Sequence, residues 1–113
     1  MAPSMRVLFS RTKKGGKTII TVSITKNSIH VHGHAGAGPP GQDIVCASVS
    51  ILAQNLISSI EDLTEDKITY SVSPGMVDID YRELSEASKL LVDSFFLGIC
   101  GIANSYPEYV RVQ

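Results

Sequence analysis

Hydrophobic residues recur along this chain with two different spacings. Thr18-Ile-Ile-Thr-Val-Ser-Ile24 is rich in β-branched residues, the composition a pleated, half-buried surface prefers, and it predicts a strand. Lys26-Asn27-Ser28 supplies a tight turn into Ile29-His-Val-His-Gly-His34, so the two runs are expected to pair as an antiparallel hairpin. Period-2 alternation puts Ile29, Val31 and Gly33 on one face of the second run and His30, His32 and His34 on the other. The spacing then changes: Val45, Val49, Leu52, Ala53, Leu56 and Ile60 recur as one face of a helix, with the acidic stretch from Glu61 to Asp66 as its exit. Lys67 to Val72 and Met76 to Tyr81 alternate on either side of Ser73-Pro74-Gly75 and predict a second hairpin, in which Asp78 and Asp80 form the solvated side. A second helix is expected from Leu84 to Asn104, opening near Ser85 with Glu86 in its first turn and ending before Pro107, and Glu108 to Val112 reads as a last strand. Ahead of all this, Lys13-Lys14-Gly15-Gly16 is a turn signal, Met5 to Ser10 a short strand or appendage, and Met1 to Ser4 a leader. The order of elements predicts an α+β fold: two layers, a mostly antiparallel β-sheet and two long helices packed on it.

Between the second strand and the first helix, Ala35 to Gln42 holds Gly36, Gly38, Pro39, Pro40 and Gly41, a composition that predicts a loop, because glycines free the backbone while prolines withhold donors and fix φ. Asp43 is a good N-cap, which makes Ile44, Val45 and Cys46 the first helical positions. A thiol in the first turn of a helix feels the unpaired N–H groups and the positive end of the dipole, both of which favour the thiolate. Were the loop to fold back so that His34 meets Cys46, the imidazole would serve as the base a cysteine nucleophile uses. The loop is then a candidate substrate-gating lid. Asp43 is a candidate for orienting His34 besides capping, Ser50 lies one helical turn beyond Cys46, and Gly33 leaves room for a substrate backbone. No Gly-Lys-Ser/Thr follows the glycines, and Asp43 would repel phosphate, so nucleotide binding is not expected.

Composition narrows the classes. At 113 residues with 43% hydrophobic content, residues 1–113 are expected to form a single domain, since domains usually hold about 100 to 150 residues. A net charge of −1 gives no global reason to bind nucleic acid or an anionic membrane, and the patch of Arg11, Lys13, Lys14 and Lys17 reads as a solvated turn. Neither a signal peptide nor an apolar run of bilayer length is read, and the two cysteines, Cys46 and Cys100, suit a reduced cytoplasmic protein without a disulfide. Phe95, Phe96, Leu97, Ile99 and Ile102 exceed what one buried stripe needs, and with Gly98 and Gly101 they suggest a homodimer face. Three alternating strand histidines raise a competing reading, a zinc site completed by Cys46, but no further Cys/His cluster supports it; no cofactor and no metal are expected.

Gly33-His-Ala-Gly36 and Asp43-Ile-Val-Cys-Ala-Ser-Val-Ser50, with twelve positions from His34 to Cys46, resemble the ribosomal-processing cysteine protease (Prp) family, and Tyr106-Pro-Glu-Tyr-Val110 resembles its closing helix-to-strand junction. The likeness runs from about Lys17 to the C-terminus; the Pro39-Pro40 pair departs from the family's commoner charged loop. What the resemblance implies is a homodimeric α+β cysteine endopeptidase. It would remove a short N-terminal extension from a large-subunit ribosomal protein precursor, or a related viral precursor, with His34 and Cys46 as its dyad. The alternative from another class is a non-catalytic peptide-binding or assembly protein of the same fold.

Overall fold

The computed structural model describes residues 19–33 and 40–113, with side chains from residue 44 onward in the second span. Two antiparallel hairpins form most of a five-stranded sheet. In the first, β1 (Ile20–Ile24) pairs with β2 (Ser28–His32), Val22 opposite Val31; in the second, β3 (Ile68–Ser73) pairs with β4 (Met76–Tyr81), Val72 opposite Val77. The hairpins join through β2 and β4, also antiparallel, and β5 (Val110–Val112) pairs in parallel with β1. The order β3-β4-β2-β1-β5 places β2 at the centre.

Both helices, α1 (Pro40–Leu63) and α2 (Glu86–Ser105), lie on one face of this sheet. Ile20, Val22, Ile29, Val31, Val77 and Ile79 point into the layer between, where they meet Val45, Val49, Ala53, Leu56 and Ile60 of α1 and Phe95, Ile99 and Ala103 of α2. The expected two-layer α+β architecture is therefore what forms. By length and composition Ile44–Leu63 would suffice to cross a bilayer, with a mean hydropathy of 1.5, which corrects the reading that no apolar run reaches that length. Here that segment is the core helix, one face buried on the sheet.

The helices touch closely because Gly98 has no side chain: a Cβ there would lie 2.9 Å from Leu52 Cδ1. Gly98 is thus spent on packing α2 against α1 within the chain, and Phe95 and Ile99 on the core, leaving Leu97 as the apolar residue of that group turned outward.

The start of α2 is fixed from the far end of α1. Ser85 is the N-cap, its hydroxyl accepting from the Ser88 N–H, while Asp66 Oδ2 accepts from the Ser85 N–H (2.9 Å) and hydroxyl (2.8 Å). The Ser88 hydroxyl, which has Thr64 Oγ1 as another acceptor at 3.3 Å, and then the two Ser85 donors hold the Asp66 carboxyl below the usual carboxylate range. A lowered folded pKa means that the contribution of Asp66 to stability is present above its unfolded value, about 3.9, and is lost as pH falls through the folded value. In urea melts, Asp66→Asn should be less stable than the wild-type protein at neutral pH, and the gap should close as pH is lowered through that acid range.

Candidate functional site

Between α1 and the sheet lies a cleft of about 760 Å³. One wall is the α1 surface carrying Cys46, Ala47, Val49, Ser50 and Gln54. The sheet contributes Ile20, Val31 and Val77, and the β3–β4 turn closes one end with Ser73, Pro74 and Gly75. Cys46 is half-buried against the core, its sulfur a wall group of the cleft; Ser50, one turn on, lies on the same wall.

The helix that presents Cys46 starts earlier than its sequence suggested. Pro40 opens α1, so residues 40–42 of the expected loop are helical, and Asp43 is the fourth helical residue instead of the N-cap. The physical reason is that the first turn of a helix has no use for its N–H groups, so a proline there breaks no bond. Two consequences follow for the chemistry. Cys46 stands at the seventh position, in the second turn, where the dipole argument for a thiolate has largely faded. The N–H groups of Val45 to Ala47 are directed to carbonyls four residues earlier; at the start of α1 those without a helical partner belong to Gly41 and Gln42. His34, with Gly36, Gly38 and Pro39 of the expected lid, lies outside the described residues.

Gly33 is required by the path of the backbone itself. Its φ is +98°, a conformation L side chains rarely adopt, and a Cβ would overlap the Ile19 carbonyl oxygen. The close neighbour is the chain's own backbone, and Gly33 also lines the cleft. With its N–H bonded to the Gly75 carbonyl at 2.9 Å, Gly33 ties the end of β2 to the turn that closes the cleft. Gly33→Ala combines a strained φ with a backbone collision and should cost about 2 kcal/mol or more in a denaturant melt.

His30 and His32 do not converge on Cys46. Val31, between them, faces the cleft, so His30 and His32 face the other side of the sheet. There Asp78, read as part of a solvated face, accepts from both: His30 Nδ1 at 2.6 Å and His32 Nε2 at 2.7 Å from the same Oδ1. Bonds from His30 and then His32 hold the Asp78 carboxyl below the usual range. Only the β2–β4 register, which sets Asp78 opposite His30, reveals this cluster; the His-x-His spacing alone gave half of it.

The second thiol is different in kind. Cys100 is 4% exposed, and burial raises its pKa, whereas Cys46 lines the cleft; both are free. A limiting alkylating agent at neutral pH should therefore label Cys46 first, as peptide mass mapping would show, and Cys100 only on unfolding.

Residues 18–111 match the family model described as Cysteine protease Prp. The ribosomal processing cysteine protease Prp of Mycoplasma genitalium is 28% identical over 99 residues, an alignment covering 84% of this chain and 95% of that protein. The protein of the same name from Staphylococcus aureus is 28% identical over 104 residues, covering 84% and 98%. Among solved structures, the S. aureus ribosomal processing protease Prp in complex with a substrate peptide superposes with a TM-score of 0.75 at 19% identity, covering 85% of this chain and 97% of that one, a likeness of fold. A Streptococcus mutans protein of known crystal structure gives 0.72 at 33% identity, covering 86% and 92%.

Proposed function

For a chain that belongs to the cysteine protease Prp family, and is thus a cysteine protease of the hydrolase class, we propose that Cys46 is the nucleophile and His34 its proton partner in cutting a ribosomal protein precursor. The observation that carries this is the position of Cys46 on the wall of an open, largely apolar cleft. The bond cut would join a short N-terminal extension to a large-subunit ribosomal protein, in keeping with the name its relatives carry.

In this reading the Cys46 sulfur, as thiolate, attacks the scissile carbonyl carbon. His34, protonated, gives its proton to the leaving amine as the C–N bond breaks, which leaves a thioester on Cys46. His34 then takes a proton from water, the hydroxide releases the acid product, and the thiolate returns. The N–H groups of Gly41 and Gln42 are the donors available to the oxyanion from the open end of α1. Pairing with His34 must supply the thiolate that the second helical turn does not, so the dyad carries more of the activation than the helix dipole. The enzyme would work as a cytoplasmic homodimer. Leu90 and Leu97, seven residues apart on the outer side of α2 and more than half exposed, suit such an interface.

The test is cleavage of a ribosomal precursor peptide followed by intact mass, with binding measured separately. Cys46→Ala should bind the peptide with near wild-type affinity and leave it whole. His34→Ala should slow single-turnover cleavage by at least ~10²-fold. Asp43→Asn keeps side-chain size within the first helical turn, so a large loss of turnover with unchanged stability would make Asp43 the residue that orients His34. Wild-type cleavage by Cys46→Ala would overturn the assignment in favour of a binding protein.

A further inference from the structure

We propose that His30, His32 and Asp78 form a binding site for one divalent transition-metal ion of the zinc class, on the face of the sheet opposite the cleft. Two imidazole nitrogens and a carboxylate oxygen, from adjacent strands, lie within 4.8 Å of one another, and both nitrogens already meet one oxygen, at 2.6 and 2.7 Å. The side chains are 39%, 53% and 23% exposed, so the cluster is reached from solvent while its carboxylate is held by its surroundings.

The donors decide the type of ion. Imidazole nitrogen suits zinc, copper, nickel and iron, whereas magnesium and calcium select oxygen. Around a tetrahedral ion with bonds of about 2.0 to 2.2 Å, neighbouring ligand atoms stand about 3.3 Å apart. The His–Asp contacts would therefore open by about 0.6 Å each, within reach of side-chain rotation on exposed residues. An ionised carboxylate only accepts, so in the free cluster both nitrogens carry hydrogen. On binding, a neutral imidazole moves that hydrogen to its other nitrogen and a charged one releases it to water, freeing a lone pair for the metal. Three protein ligands leave a coordination position for water. Asp80, two residues along β4 on the same face, adds negative charge nearby.

The backbone makes the site pre-formed. His30 and His32 project to one side because they are two apart on a strand, and the register sets Asp78 opposite His30. Both strands are internal to the sheet, so the ligand spacing is set by ladder bonds on either side. An ion there would pin β2 to β4 directly behind Val31 and Val77, which line the cleft, and is separate from the thiol chemistry.

Titration calorimetry of the full chain with zinc chloride tests this, with cobalt(II) absorption as a second reading. Binding of one ion per chain is expected, undiminished in Cys46→Ser, without a thiolate-to-cobalt charge-transfer band and without competition from equal magnesium. His32→Gln and Asp78→Asn should each weaken it at least ~10-fold, while circular dichroism shows the fold retained. Because His32 is the most exposed ligand, its variant carries the test should Asp78→Asn misfold. Absence of saturable binding at sub-millimolar zinc, equal affinity in a folded His32→Gln protein, loss in Cys46→Ser, or effective magnesium competition would each overturn the site.

Discussion

The central strand sorts the chemistry of this protein. β2 has a neighbour on each edge and, among the described residues, helices over one face, so its alternation divides side chains with little freedom: Ile29 and Val31 go to the helices, His30 and His32 to the other side. A slip of one residue would put imidazoles into an apolar layer and isoleucine into water, with a penalty repeated along the strand. Register is therefore enforced from both sides, by the core above and by the His–Asp–His cluster below. At the end of the strand, Gly33 turns the chain with a backbone that no other residue would adopt without strain, and the next residue is His34.

The nucleophile candidate comes from the opposite layer. Val45 and Val49, which flank Cys46 along α1, are buried on the sheet and fix the rotation of the helix; that rotation leaves Cys46 and Ser50 at the margin between core and solvent. The cleft follows from this geometry, since it is the space between a helix edge, the sheet and a turn that Gly33 ties to β2. The placement of Cys46 depends on core packing of α1 against the sheet.

Most of the fold was legible because its patterns are clean. β3, β4 and α2 fall where alternation and helical spacing put them, and the Ser85 cap is where a serine before an acidic first turn would be sought. The start of α1 was not legible, since Pro39-Pro40-Gly41 reads as a breaker, yet a proline costs nothing in a first turn, where N–H groups have no partners. The backbone constraint at Gly33 was not legible for a related reason: sequence shows a missing side chain but not which backbone lies against it. Asp66 looked like part of an acidic exit, and its link to Ser85 needs the chain to return across nineteen residues.

The same limit explains why Asp78 was passed over. Within β4 it belongs to a regular polar face, and regularity is what a solvated strand side looks like. Its distinction lies in pairing, because a carboxylate opposite one histidine and diagonal to a second meets two donors that a single strand could never bring to it. Polar residues on the exposed side of a sheet are thus not interchangeable: their meaning is set by the neighbouring strand. Here the neighbour makes a three-residue cluster directly behind the cleft, so the two faces of β2 and β4 share one backbone, and whatever stiffens one side of it stiffens the floor of the other.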